Sequence, residues 1–215
     1  MWLCTFLELG NWRKIMISYK RLVLASASPR RKQMLENSGI KFIVMPADID
    51  EKPKLNEKAQ DYVLRNAREK AQAINNKLPN GEFILSADTV VVTQEGLILE
   101  KPSDTNIAKQ MLLQLSGKTH FVYSGYALFQ NHRELVSRVV ETLVTFRTIS
   151  DREQNAYIAT GEPFDKAGGY GIQGHAMGFI ECIQGSYTNV MGLPLSQVLQ
   201  DLENFAKLET FAYLH

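Results

Sequence analysis

The 215-residue sequence predicts an α/β fold built on a mixed β-sheet with flanking helices, and three observations carry that prediction. Apolar runs of strand length alternate along the chain with stretches of helical periodicity. Two long β-rich runs, 120–129 and 135–146, are separated by a short polar stretch containing Gln130-Asn131-His132-Arg133. So short a connection requires an antiparallel pair and excludes a purely parallel sheet. Hydrophobic residues make up 45% of the chain and charged residues 22%, an ordinary globular balance able to bury a full core.

The elements follow in order. Residues 22–25 read as a buried first strand and 26–28 as a loop. Pro29 suits the first position of a helix capped by Ser28 and closed by Gly39. Residues 42–45 read as a second short strand. Ala59, Val63, Ala67, Ala71 and Ile74 recur at helical spacing and predict a long helix. Strand is expected over 83–87 and again over 90–93, and Gly96 turns the chain into 97–99. Ser103 or Asp104 caps the next helix, whose apolar face holds Ile107, Met111, Leu112 and Leu115 and which ends at Gly117. After the long hairpin, Ser150 and Glu153 form a capping-box pattern for a helix ending near Gly161. A glycine-rich stretch then leads to a strand over 179–183 and a last helix from Pro194. A single domain is expected over 21–206, with an extension at 1–20 and a tail at 207–215. Met1 and Met16 stand as alternative starts.

Charge and composition narrow the function. A net charge of +1, from 24 basic and 23 acidic residues, argues against a protein that tracks a nucleic acid polymer. It leaves a small anionic ligand open, since a site needs only local charge. Cys4 and Cys182 are too few and too distant for a disulfide framework, and four scattered histidines offer no zinc spacing. A reducing, cytoplasmic setting is expected. Cys182, inside a strand-like run, reads as core. No stretch reaches the roughly 18 apolar residues needed to span a membrane, and the apolar start lacks the features of a signal peptide.

Four segments carry charged and small residues where a core has no use for them. Ser26-Ala27-Ser28-Pro29-Arg30-Arg31 joins a strand to a helix start, where free N–H groups and two guanidinium forks suit an anion. The other reading is a capped helix with a solvated basic turn. Ser86-Ala87-Asp88-Thr89 interrupts an apolar run with a carboxylate, either a metal-binding or water-activating group at a strand end or a turn aspartate bonded to its own backbone. Lys101, in Glu100-Lys101-Pro102, is a phosphate-neutralising charge or an exposed loop lysine. The stretch from Glu162 to Gly174 has glycines that let backbone approach a ligand and an amide, Gln173, that both donates and accepts. Its other reading is a flexible surface loop. Two familiar patterns fail. Gly169-Tyr170-Gly171-Ile172-Gln173-Gly174 matches GxGxxG but leads into strand, and Ser116-Gly117-Lys118-Thr119 ends a helix where a P-loop opens one.

Taken in order, these segments resemble the Maf family of nucleotide pyrophosphatases. The resemblance rests on Leu24-Ala25-Ser26-Ala27-Ser28-Pro29-Arg30-Arg31, Asp48-Ile49-Asp50-Glu51, Arg68-Glu69-Lys70-Ala71, Ala87-Asp88-Thr89-Val90-Val91 and Glu100-Lys101-Pro102. It continues through Leu115-Ser116-Gly117-Lys118-Thr119-His120, the run from Asp165 to Gly174, and Val190-Met191-Gly192-Leu193-Pro194-Leu195. Together these cover roughly 21–204.

The resemblance implies a two-lobed fold similar to inosine triphosphate pyrophosphatases, with a central cleft and cleavage between the α and β phosphates. It implies a divalent cation, Mg²⁺ or Mn²⁺, with Asp88 as proton acceptor. Asp88 and Glu51 are the expected metal ligands, although Asp50 in the same acidic turn is an alternative to Glu51. Ser26, Arg31, Lys70 and Lys101 are expected around the triphosphate. Arg30, Thr89 and Gln173 align with the specificity positions of the dTTP/UTP branch, and the Gln173 amide complements a uracil or thymine edge. A homodimer and a link to septum formation and cell-division arrest are further implications of the resemblance. Two other functions stay open: the same scaffold acting on a different noncanonical nucleotide, and a nucleotide-binding regulator without turnover.

Overall fold

The computed structural model describes residues 21–78 and 81–211. The expectations attached to 1–20, namely the extension, its alternative starts and Cys4, lie outside the described residues, as does the end of the 207–215 tail.

The first half of the chain builds a crevice. β1 (Leu22–Leu24) pairs in parallel with β2 (Phe42–Val44) on one side and β3 (Phe83–Val92) on the other. The connection to β2 is α1 (Pro29–Asn37), which opens as its sequence implies, with the Ser28 hydroxyl accepting the Arg31 N–H at 3.4 Å. The connection to β3 is α2 (Ala59–Asn75), whose Val63, Ala67, Ala71 and Ile74 are fully buried. Side chains alternate across a strand, so β1 sends Leu22 and Leu24 to α1 but Val23 to α2. The two helices therefore cover opposite faces. Chain direction reverses about β1, and such a reversal opens a crevice beyond the strand's C-terminal end.

Beyond β3 the sheet turns antiparallel. β3 pairs with the short β4 (Ile98–Leu99) and, along its full length, with β5 (Thr119–Gln130). The expected break at Asp88-Thr89 does not occur. Both residues lie inside β3, opposite Gly125 and Ser124, so Asp88 is neither at a strand end nor in a turn. β5 and β6 (Arg133–Phe146) form the long hairpin. It closes through Asn131 and His132, both left-handed at φ 51° and 61°, a tight turn whose twist suits the flanking strands. Among the described residues β7 (Ile180–Gln184) completes a seven-stranded mixed sheet in the order β2-β1-β3-β5-β6-β7, with β4 beside β3.

A second core gathers at the far end of the sheet. α3 (Thr105–Leu115) and α4 (Asp151–Ala159) bring Leu112, Leu115 and Tyr157 against Val122, Phe146 and Phe179. Of the two expected caps for α3, Asp104 makes the bonds, accepting from the N–H groups of Asn106 and Ile107. α4 begins at the reciprocal Ser150–Glu153 capping box. The glycine-rich stretch is ordered into 3₁₀ turns at Glu162–Asp165, Ala167–Gly169 and His175–Phe179, the last leading directly into β7. α5 (Tyr187–Val190), too short to show a period in sequence, precedes α6 (Leu195–Asp201). Cys182 is in β7 as expected but is exposed, because β7 is an edge strand. The expectation that it is core is corrected.

His120 makes this second core sensitive to pH. The ring is buried, with Nε2 at 2.8 Å from the Tyr170 hydroxyl and Nδ1 without a hydrogen-bond partner among the described residues. Burial pushes its pKa down from 6.5 to about 4. The unfolded chain takes up a proton that the folded one excludes, so this contribution to stability is complete above about pH 6.5 and is lost as pH falls toward 4. Urea unfolding across that window is expected to show up to about 3 kcal/mol of loss from this group. His120→Gln is expected to remove that part of the slope, and an unchanged slope would contradict the assignment.

Candidate active site

A cleft of about 650 Å³ occupies the crevice beyond β1. Every residue singled out from the sequence reaches its wall: Ser26, Arg30 and Arg31 at the start of α1, Glu51 after β2, Lys70 on α2, Asp88 and Thr89 on β3, Lys101 after β4, and Gln173. β1 ends while β3 runs on, so Asp88 and Thr89 have β5 on one side and the crevice on the other.

Asp88 is buried and held on both oxygens. Oδ1 accepts from Lys70 Nζ at 2.8 Å and Oδ2 from Asn66 Nδ2 at 2.9 Å. Asn66, itself fully buried, has its amide oxygen taken by Arg65 at 3.0 Å, which leaves the amide nitrogen for Asp88. Arg65 is forked onto Glu57 at 2.6 and 2.8 Å and donates to the Lys52 carbonyl. Those bonds hold the Glu57 carboxyl down at about 2 and tie the loop carrying Glu51 to α2. Lys70 also reaches Glu51 Oε2 at 2.5 Å, so it stands between two carboxylates. Of the alternatives in the acidic turn, Glu51 faces the cleft and Asp50 accepts the Lys52 N–H. Sequence reasoning missed Asn66. Its signal was a polar residue one helical turn before Lys70 on a stripe of small apolar residues.

What brings α2 this close is Gly125, the residue opposite Asp88. A Cβ there would stand 2.5 Å from the Val63 carbonyl oxygen, so helix backbone lies directly on strand backbone.

Thr89, the next residue along β3, faces the other way and serves Arg31. The guanidinium is buried and donates from Nε to the Gly192 carbonyl at 2.7 Å, from one terminal nitrogen to Ser26 Oγ at 2.9 Å, and from the other to Thr89 Oγ1 at 3.1 Å. Burial draws its pKa down while Asp88 opposes the shift. The described residues use three of its five N–H donors, leaving two for a ligand. Arg30 reaches across the cleft to Asp165 at 3.4 Å, and Lys166 meets the same carboxylate at 2.5 Å. Lys101 and Gln173 are exposed at the rim.

The donor set fits a hard divalent cation. Asp88 and Glu51 each bring an oxygen to one ammonium, so their carboxylates converge on a shared space. Among the described residues no group of three or more His, Cys, Asp or Glu gathers for a metal. The protein thus offers two carboxylates, and Mg²⁺ is commonly bound by one or two carboxylates together with phosphate and water. Among the described residues the wall carries five cations (Arg30, Arg31, Lys70, Lys101, Lys166) and four carboxylates (Glu51, Asp88, Glu100, Asp165). One surplus positive charge is small against a polyphosphate, which favours an added cation.

The family model of Maf-like proteins matches residues 21–205. A dTTP/UTP pyrophosphatase of Citrifermentans bemidjiense is 49% identical over 182 residues, covering 84% of this chain and 93% of its own. One of Geotalea uraniireducens is 44% identical over 196 residues, covering 91% and 100%. One of Myxococcus xanthus is 48% identical over 182 residues, covering 85% and 91%. Among solved structures, a HAM1 protein from Coxiella burnetii aligns with 86% of this chain and 98% of its own at 15% identity and a TM-score of 0.47.

The cation cradle predicts that inorganic pyrophosphate binds in the cleft. In calorimetry, the exposed change Lys101→Ala is expected to weaken that binding about tenfold, the value of one charged hydrogen bond. Lys32→Ala, exposed on α1 and outside the cleft wall, is expected to leave it unchanged. Equal binding by both variants would contradict the placement.

Proposed function

The chain belongs to the Maf-like protein family, and from that membership we propose that it is a nucleoside triphosphate pyrophosphatase that cleaves dTTP and UTP to monophosphate and pyrophosphate. The observation that carries this reading is Asp88, a buried carboxylate fixed on both oxygens at the wall of a cleft lined by cations from separate segments.

In this reading the triphosphate lies along Ser26, the two free donors of Arg31, and Lys101, while Lys70 sets the two carboxylates and adds its charge. Asp88 accepts a proton from the water that attacks the α phosphorus. The bond from that phosphorus to the bridging oxygen breaks, and pyrophosphate leaves with its new charge facing Arg31 and Lys101. Asp88 and Glu51 are the residues that would hold Mg²⁺ or Mn²⁺, which supplies positive charge to phosphate oxygens when bound. Gln173 makes no hydrogen bond to the described residues, so both halves of its amide are free for the base edge of uracil or thymine. A base whose edge does not fit the space in front of Gln173 leaves polar groups unpaired there, an effective form of rejection. Thr89 bears on the nucleotide through Arg31, and Arg30 through the wall it shares with Asp165.

The reading includes a cytoplasmic enzyme that acts on free nucleotides and, by the family resemblance, a homodimer. The near-neutral charge and scarce cysteines support the first part.

The test is product analysis with a panel of nucleoside triphosphates in Mg²⁺ or Mn²⁺, with Asp88→Asn alongside. dTTP and UTP are expected to give monophosphate and pyrophosphate, and Asp88→Asn is expected to lose at least about 100-fold in kcat while still binding nucleotide. Turnover of another base in preference would overturn the specificity. Binding without turnover under either metal would favour the regulatory reading.

A further inference from the structure

Gln173 stands at the tip of a turn, Gly171-Ile172-Gln173-Gly174, closed by the Gly174 N–H donating to the Gly171 carbonyl at 3.1 Å. Its side chain is exposed and makes no hydrogen bond to the described residues. The place from which the amide reaches into the cleft is therefore set by what holds the turn.

Two anchors do so. Ile172 is buried in the core that α1 and α6 share. On the other side stands Glu162, which begins the preceding 3₁₀ turn. Its Oε2 accepts the N–H of His175, the residue immediately after the turn, at 2.8 Å. Its Oε1 accepts the hydroxyl of Tyr157, a buried residue of α4, at 3.1 Å. Its backbone carbonyl accepts Lys166 Nζ at 2.9 Å.

The glycines record the same packing. A Cβ on Gly174 would overlap the Glu162 carboxylate, and one on Gly171 would stand 2.6 Å from Lys166 Cε and 3.2 Å from Glu162 Oε1. Both glycines thus make room for protein groups. From sequence these glycines offer a close approach to a ligand or a flexible loop; at Gly171 and Gly174 the space goes to Lys166 and Glu162.

We propose that Glu162 is a positioning residue for base recognition: its carboxylate clamps the turn that carries Gln173 to α4 and thereby sets nucleobase preference without touching the nucleotide. This rests on Gln173 as the base-contacting residue. The clamp needs two acceptors, one for an N–H and one for a hydroxyl, and a carboxylate supplies both. A glutamine at 162 keeps both contacts, since its oxygen takes the His175 N–H and its NH₂ group can donate to the Tyr157 oxygen. An alanine keeps neither.

The experiment compares kcat and KM for dTTP, UTP and dCTP in the wild-type enzyme, Gln173→Ala, Glu162→Ala, Glu162→Gln and the Glu162→Ala/Gln173→Ala double variant. Glu162→Ala is expected to raise KM for dTTP and UTP about tenfold with kcat within about twofold, and to reduce the preference over dCTP as far as Gln173→Ala does. Glu162→Gln is expected to restore most of that preference, and the double variant to be no worse than Gln173→Ala alone. His175→Pro removes the clamped N–H along with the exposed imidazole, and His175→Ala, which keeps the N–H, is its control. The proline variant keeps the proposal testable if Glu162→Ala does not fold, and it is expected to shift preference in the same direction. If Gln173→Ala loses preference while Glu162→Ala and His175→Pro keep it, the clamp is overturned and the reading of Gln173 stands. If Gln173→Ala itself keeps preference, that reading falls and the clamp with it.

Discussion

The hydrogen bonds that hold Asp88 depend on α2 lying flush against β5, and Gly125 permits that contact. With no side chain on Gly125, the Val63 peptide sits where a Cβ would be, and Asn66 and Lys70, further along the same helix, reach the carboxylate. Taking a carboxylate and an ammonium out of water costs several kcal/mol per ion, and a buried pair often fails to recover that in stability. The pair is therefore a poor device for holding the fold together. Burial of Val63, Ala67, Ala71 and Ile74 offsets the cost, since each aliphatic side chain contributes about 1.5–3 kcal/mol and each alanine less. The core stabilises, and the polar cluster it supports is free to serve chemistry.

One strand then sets both halves of the site. Because successive residues of β3 face opposite sides, Asp88 meets α2 while Thr89 meets Arg31 from α1. The same alternation in β1 divides the two helices between the faces. Shortness of β1 against the length of β3 leaves Asp88 and Thr89 bordering the crevice and unpaired on that side. The carboxylate cluster and the anion cradle are thus neighbours by backbone geometry, with Lys70, Asp88, Thr89 and Arg31 on regular elements and Glu51 on a loop tied to α2 through Arg65.

Much of this was legible in the sequence where the signal is local. Ser28 with Pro29, Ser150 with Glu153, and the spacing from Ala59 to Ile74 each announce an element by rules that span one or two helical turns. The hairpin announced itself through Asn131 and His132. What stayed hidden depends on partners distant in sequence. Asp88 looked like a break in β3 because an isolated aspartate inside a strand is costly, and only Asn66 and Lys70 make it tolerable. Cys182 read as core because an edge strand has the same sequence pattern as a covered one. The cleft residues were assembled from their order along the chain, but the roles of Asn66 and Glu162 come from contacts no spacing reveals. Gly171 and Gly174 show the same limit, since their need for glycine lies in Lys166 and Glu162.

The central claim is that Asp88 directs water to the α phosphorus of a nucleoside triphosphate. Turnover of dTTP in ¹⁸O-labelled water, with mass analysis of both products, tests it most directly. Attack at the α phosphorus places the label in the monophosphate and leaves pyrophosphate unlabelled. Label in pyrophosphate, or labelled orthophosphate released stepwise, would mean attack at another phosphorus and would contradict the geometry assigned to the cleft.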